Sequence, residues 1–182
     1  MTLRRLAAAL RRDESGYSLT ELLTVMVILS VVMGALTTML VSGSRASIDM
    51  NLRVEAQTEL RLGLDRLRRE AHCASLATSG TASVTLTLAT TCPTSQGNTS
   101  ITWCTVGSGT RYGLWRYAGG ACSGTGVRVA DYLTTATVFG FTPQSATSLA
   151  KLAVDFPISL TPGAGRAYRL TDEIVLRNST RT

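Results

Sequence analysis

The sequence is poor in the residues that most metal, phosphate and catalytic sites require. Its 182 residues include one histidine, one lysine and four cysteines. The histidine, His72, stands beside Cys73, and the stretches between successive cysteines hold 18, 11 and 17 residues, which is not the C-x2-C spacing of a zinc site. The glycine-rich pieces VGSGTRYG and GGACSGTG lack the lysine and the strand–helix context of a phosphate-binding loop. We therefore expect no cofactor, no metal ion and no catalytic centre, and interpret His72 as a helix cap or an exposed side chain.

Charge is absent from residues 22–44, and this absence predicts a membrane segment. As a helix, these 23 residues would be ~35 Å long, and the hydrocarbon core of a bilayer is roughly 30 Å thick. Four arginines lie in the first 16 residues, so the positive-inside rule places the N-terminus in the cytoplasm and the bulk of the chain outside. A secretory signal peptide fits poorly, because the apolar run is too long and Glu21 lies where the apolar core should begin. A plain signal anchor would leave Glu21 unexplained.

The boundary of the apolar run carries a motif. Gly16 is followed by YSLTELL and then by the long apolar segment. This order resembles the prepilin cleavage and methylation motif of type IV pilins and type II secretion pseudopilins. The resemblance implies that prepilin peptidase cuts between Gly16 and Tyr17 on the cytoplasmic side of the bacterial cytoplasmic membrane and then N-methylates Tyr17. It also makes Glu21 the fifth residue of the mature chain.

The position of Glu21 is physically reasonable for a chain that is cut in this way. Cleavage creates an α-amino group with a reference pKa of about 7.7–8.0, which is largely positive at neutral pH. At the end of an apolar helix this charge needs a partner. Glu21 lies one turn along the helix, so its carboxylate can pair with its own amine or with the amine of the next subunit in a bundle. The alternative is that Glu21 lies at the membrane interface and reaches water.

The helix is predicted to continue beyond the apolar run. Apolar residues recur at spacings of three and four, which indicates one buried stripe: Ile48, Leu52, Ala56, Leu60, Leu64, Leu67 and Ala71. Many of the intervening residues are charged, and five acids, among them Glu70, offset the arginines. We interpret these charges as a solvated face rather than a nucleic-acid-binding patch.

The residues beyond His72 have the composition of strands. Seven segments are predicted to be strands, at 83–90, 99–106, 111–119, 126–133, 136–142, 151–160 and 168–178. A long helix followed by antiparallel strands predicts an α+β fold in which the sheet wraps the helix stripe. This order resembles the pilin fold, closest to that of J-type minor pseudopilins and related minor pilins. The expected organisation is a cleaved leader (1–16), a transmembrane and filament-core helix (17–44), its amphipathic continuation (45–71) and an extracellular β-rich domain (72–182).

The cysteines all follow the apolar segment. An even number of cysteines beyond a membrane anchor predicts disulfides formed outside the cytosol, and four cysteines allow three pairings. We expect Cys73–Cys92 and Cys104–Cys122, because each of these pairs brackets a short strand–loop unit. Loops of this length contribute roughly 3 kcal/mol each in the chain-entropy account of disulfide stabilisation.

Three functions are compatible with the sequence. The first is a structural subunit that is processed by prepilin peptidase and assembled with other pilin or pseudopilin subunits; the lack of proline in residues 22–44 and the polar loops at 91–100 and 119–126 favour a minor, priming or tip-proximal subunit. The second is a minor pilin whose domain binds DNA or a surface ligand, because the part from His72 onward has eight basic and four acidic residues. The third is a membrane-anchored extracellular domain that never polymerises.

Overall fold

The computed structural model describes residues 18–89, 91–93, 97–160 and 168–179. Within these ranges, one helix precedes eight strands. The elements are α1 (Leu19–Cys73), β1 (Ala74–Ser79), β2 (Ser83–Leu88), β3 (Ser100–Ser108), β4 (Arg111–Ala118), β5 (Gly126–Leu133), β6 (Phe139–Thr142), β7 (Lys151–Ile158) and β8 (Tyr168–Val175). The chain divides into two compact units, Met1–Asp49 and Met50–Thr182, and α1 contributes residues to both.

The strands form one antiparallel sheet in the second unit. Hydrogen-bonded neighbours follow the order β1-β2-β3-β4-β5-β7-β6, and β8 pairs with β7 along its length. The link between β5 and β7 is a single pair, Leu133 with Ile158, and the sheet curls so that β1 approaches β6. The predicted α+β fold is confirmed: a long N-terminal helix, apolar in its first half, is followed by a curled antiparallel sheet, as in the pilin-like fold.

The hairpin between β3 and β4 joins two of the predicted strands. Ser108 pairs with Arg111, so the loop consists of Gly109 and Thr110 alone. Gly109 has a φ of 62°, in the left-handed region that glycine adopts without a steric cost and that a two-residue hairpin requires.

Strand β1 was not among the predicted strands. Its sequence, ASLATS, follows α1 without a turn residue, and its buried residues, Ala74 and Ala77, are three apart. The cause of this spacing is a shift in the pairing with β2 between Ala74 and Leu76, where an irregularity replaces the regular alternation. A search for period-two alternation therefore does not detect this strand.

The core of the second unit lies between α1 and the inner face of the sheet. Five of the seven predicted stripe residues are buried: Ala56, Leu60, Leu64, Leu67 and Ala71. The other two are exposed, Ile48 by 58% and Leu52 by 42%, so the buried stripe begins at Ala56, about two helical turns later than predicted. The helix packs against large residues of the sheet that are fully buried, such as Trp103 and Phe156.

Gly63 permits a close approach between α1 and β5. A Cβ atom at this position would lie 2.6 Å from Cγ1 of Val129. We expect Gly63→Ala to destabilise the domain by about 1–3 kcal/mol, because the overlap outweighs the gain of about 1 kcal/mol in helix propensity. Urea unfolding measures this loss, and Val129→Ala in the same chain should remove most of it. A Gly63→Ala protein that is more stable than the wild type would contradict the prediction.

Strand β8 carries several side-chain contacts from α1. Arg68 Nε donates to Asp172 Oδ2 at 2.7 Å, and a ring nitrogen of His72, Nδ1, lies 3.0 Å from the carbonyl oxygen of Val175. His72 is half-buried, so the expectation of a helix cap or an exposed side chain is wrong: the imidazole joins the helix to β8. These contacts supply polar partners to a strand that has one paired neighbour, β7.

Candidate functional site

The first turn of α1 is built by a polar cap. The carbonyl oxygen of Ser18 accepts hydrogen bonds from the backbone N–H groups of Glu21 and Leu22 at 2.9 and 3.1 Å. The hydroxyl of Ser18 also accepts from the N–H of Glu21, at 3.4 Å, and contacts the hydroxyl of Thr20. Ser18 is therefore the N-cap residue, and it satisfies N–H groups that have no partner within the helix.

Glu21 lies in this first turn with an exposed side chain. A carboxylate is favourable here because the N-terminus of a helix carries a partial positive charge. The structure thus places Glu21 at the start of the apolar segment, as predicted, and on the surface of the helix, where a partner can reach it. Gly16 and Tyr17, the predicted cleavage and methylation residues, lie outside the described residues.

The apolar segment that follows is exposed on all sides. Its large aliphatic side chains from Leu22 to Val41 are all between 41% and 76% accessible. By length and composition this part of α1 is able to cross a membrane. A helix that is apolar around its whole circumference requires an apolar environment, either lipid or other helices.

Five hydroxyl groups within the apolar segment form hydrogen bonds with the helix itself. Thr24, Ser30, Thr37, Thr38 and Ser42 donate to backbone carbonyl oxygens three or four residues earlier, at 2.7–2.9 Å. These bonds lower the cost of removing the hydroxyls from water. Glu21 is the one ionisable group of the described stem, residues 18–44.

Both cysteine pairs of the second unit are disulfides. Cys73 is joined to Cys92 and Cys104 to Cys122, with Cα–Cα distances of 5.7 and 6.0 Å. These are the two sequential pairs that the sequence suggests. The first ties the end of α1 to the segment between β2 and β3, and the second ties β3 to the segment between β4 and β5. They restrain the two long polar connections of the domain.

A buried ionic cluster lies between α1 and the sheet, and the sequence interpretation of Glu70 as solvated is wrong. Glu70 has no accessible surface, and its Oε1 accepts from Nε of Arg116 at 2.8 Å. Its Oε2 accepts from Nε1 of Trp103, also at 2.8 Å, and Arg66 approaches Oε1 at 3.5 Å. Arg116 is itself only 5% exposed. The cluster neutralises a carboxylate near the negative end of the helix and fixes the helix on β3 and β4.

Four of the six basic residues that the structure describes beyond His72 are paired with acids. Arg169 forms a bidentate ion pair with Asp155: its Nε donates to Oδ1 at 2.7 Å, and its Nη2 donates to Oδ2. This arginine holds the pKa of Asp155 below its ordinary value. Lys151 pairs with Glu173 at 2.7 Å. The hydrogen bond from Arg68 to Asp172 raises the pKa of the arginine further.

All four acids in the strand region pair with a basic residue, since Arg128 pairs with Asp131 at 3.2 Å. Asp172 and Glu173, neighbours on β8, have different partners on different elements, as expected for opposite faces of a strand. Among the described residues no group of histidine, cysteine and acidic side chains could hold a metal ion.

One of the comparisons with known proteins gives a match. Residues 11–37 match the family described as the prokaryotic N-terminal methylation motif. The chain shows no significant similarity to any curated protein or to any solved structure. The chain therefore carries a type IV pilin-like processing signal, and the matched residues contain the predicted cleavage position, Ser18, Glu21 and the first part of the stem. This signal and the apolar helix fit a membrane-anchored protein.

Proposed function

We propose that this protein is a structural subunit of a type IV pilus or a type II secretion-like filament. In this proposal, prepilin peptidase removes residues 1–16, and the mature chain remains anchored in the cytoplasmic membrane with its β-domain outside. The stem then leaves the lipid and packs against the stems of other pilin or pseudopilin subunits. The observation that carries the proposal is the methylation motif placed directly on an exposed apolar helix with one carboxylate in its first turn.

Moving the stem from lipid into a bundle of other stems leaves its apolar surface buried in both states. Both environments cover the aliphatic surface of residues 22–41, so the apolar area alone does not favour extraction. The carboxylate does favour it, because an acid within a bilayer costs roughly 2.5–3.5 kcal/mol on insertion scales and is relieved when it meets an amine. In this proposal, Glu21 thus supplies the free-energy difference that favours the filament over the membrane.

Processing is the direct test. We expect the mature protein to begin at an N-methylated Tyr17, because Gly16 allows the backbone to lie extended in a peptidase cleft without a side chain in the way. Mass spectrometry of the protein isolated from membranes measures the N-terminal residue and its methyl group. A mature N-terminus at Met1, or beyond Ser42, would remove both the processing assignment and the filament function.

The subunit is proposed to be minor, at the priming end or tip. Many bulk pilins have a proline in the stem, and proline breaks the helix ladder; here the α-helix runs without interruption from Leu19 to Cys73, through Gly34. A continuous stem is tolerable at a filament end, where fewer neighbours must be accommodated. Quantitative proteomics of sheared filaments checks this assignment: we expect this chain to be far less abundant than another pilin-like protein, and the opposite ratio would make it a bulk subunit.

Four of the six basic residues described beyond His72 are buried or paired with an acid, which does not favour a domain that binds DNA. Nucleic-acid binding depends on cations that are free to neutralise phosphates, and here Arg116 is buried while Arg128, Lys151 and Arg169 have acidic partners. Binding of another surface ligand and a domain that does not polymerise remain the alternatives, and the processing experiment separates the latter from the filament subunit.

A further inference from the structure

Strand β8 leaves a row of backbone groups unpaired. It pairs with β7 alone, in a register that is regular along its whole length. The backbone groups of a strand point alternately to its two sides. The N–H of Leu176 donates to the carbonyl of Ala150 beside β7, and the carbonyl of the preceding residue, Val175, instead meets Nδ1 of His72 on α1. By the same alternation, three residues of β8 direct their N–H and C=O groups away from β7: Arg169, Thr171 and Glu173.

This edge lacks the features that usually protect an edge strand. Natural edges are blunted by bulges, by charges or by a covering element. At the other end of the sheet, β1 has an irregular register and approaches β6. The charged side chains of β8 face its neighbour, because Arg169 pairs with Asp155 and Glu173 with Lys151, both on β7. These charges are neutralised beside β7, and no strand of the described residues covers the other side of β8.

A cavity of about 260 Å³ lies between α1 and β8. Arg68 has two acidic partners, Asp65 at 2.9 Å and Asp172 at 2.7 Å. Arg61 has no acidic partner among the described residues, and its Nη2 donates only to the hydroxyl of Tyr168, at 3.4 Å. The cavity therefore combines an apolar floor with one cation that is free to bind an acid. It is lined by two leucines and three charged residues: Leu64, Leu170, Arg61, Asp65 and Arg68.

We propose that the edge of β8 binds an extended peptide of another protein, which adds a strand to the sheet and places an acidic side chain beside Arg61. Main-chain hydrogen bonds supply the affinity in this mode of recognition, and pockets for alternate side chains supply the specificity. Every second side chain of the added strand faces α1. The one opposite Leu170 enters the cavity, with its methylene groups on the leucines and its carboxylate at Arg61. This binding goes beyond the proposed function and does not depend on it.

The side-chain part of the proposal is tested with two synthetic peptides and the full-length protein in detergent. Each peptide has eight residues, alternating threonine and valine, with a central glutamate in one and a central lysine in the other. The glutamate peptide should bind about tenfold more tightly, because a hydrogen bond between charged groups is worth about that factor. Arg61→Gln should remove the difference. Arg69→Gln is the matched control, an exposed arginine of α1 that does not line the cavity, and it should keep the difference.

The backbone part is tested by Thr171→Pro. Proline has no N–H and is tolerated where the N–H of an edge strand faces solvent, so the domain should unfold at nearly the wild-type urea concentration. Binding of the glutamate peptide should fall at least tenfold. In hydrogen exchange followed by NMR, the N–H groups of Thr171 and Glu173 should exchange rapidly in the free protein and at least tenfold more slowly with saturating glutamate peptide. The N–H of Leu170, which faces β7, should change little.

Four results would overturn the proposal. They are equal affinity of the wild type for the two peptides, absence of binding of both, undiminished binding to Thr171→Pro, and slow exchange of the Thr171 N–H in the free protein. The last would mean that the edge is already covered. None of these measurements involves cleavage after Gly16. Failed peptide binding therefore leaves the filament function standing, and a chain that is not cut there leaves the peptide site standing.

Discussion

Glu21→Ala is expected to reach the membrane and to be processed, but to enter filaments about a hundredfold less than the wild type. The carboxylate is the one ionisable group of the described stem, so in the proposed filament its loss would leave the α-amino group of a neighbouring subunit without a partner among packed apolar helices. Removing one member of a buried ion pair costs about 3–5 kcal/mol, and about 3 kcal/mol corresponds to a factor of more than a hundred. The stem without the carboxylate is also more stable in lipid, which further disfavours its extraction.

The measurement is the ratio of this protein in sheared filaments to that in membranes, in cells that lack the wild-type copy. Glu55→Ala is the matched control, because Glu55 is an exposed carboxylate on the same helix but lies beyond the stem. It should assemble normally. Glu21→Gln keeps the size of the side chain and loses its charge, so it should fail as Glu21→Ala does. Normal entry of Glu21→Ala would rule out the pairing role.

The sequence predicts the architecture well because its strongest signals are long. A run of 23 uncharged residues followed by a stripe at spacings of three and four specifies one helix with two different surroundings. The prediction is wrong at the start of the stripe. Ile48 and Leu52 continue the spacing yet remain exposed, because periodicity reports which side of a helix is apolar and not how far along the helix the sheet extends.

The ionic cluster shows a different limit. Glu70 lies three residues after Leu67 and seven after Gly63, so the spacing places it on the buried face of α1. A charged residue in such a position is usually assigned to the solvated face, since burial is unfavourable without a partner. Its partner, Arg116, is 46 residues away on β4, and no local pattern connects the two. Only the tertiary arrangement reveals that the pair is satisfied.

The cap at Ser18 is an intermediate case. The Ser-x-x-Glu order of a capping box is visible in the sequence, but the resemblance to the prepilin motif gives a role to Glu21 alone. The hydrogen bonds of Ser18 show that the same four residues also define where the helix begins. The stretch from Ser18 to Glu21 therefore carries both the N-cap of the helix and the carboxylate that is predicted to act in assembly.

Arg116→Met is expected to destabilise the domain by about 3–5 kcal/mol. Methionine fills much of the volume of the arginine, so the main cost is a buried carboxylate on Glu70 that keeps only the Trp103 hydrogen bond and the more distant Arg66. Trp103→Phe, which removes a single neutral donor, should cost less, about 1–3 kcal/mol. Urea unfolding of the full-length protein in detergent, followed by the fluorescence of the tryptophans, measures the loss for Arg116→Met.

The double variant Glu70→Leu/Arg116→Met decides whether that loss is the cost of a stranded charge. Replacing both members of a buried pair by apolar residues of similar size is often neutral or stabilising, so the double variant should recover most of the stability lost in Arg116→Met. Arg128→Met is the matched control for an exposed pair, because Arg128 is 60% accessible, and it should cost less than about 1 kcal/mol. If the double variant is as unstable as Arg116→Met, the arginine stabilises the domain through its packing, and the ion pair is not what holds α1 on the sheet.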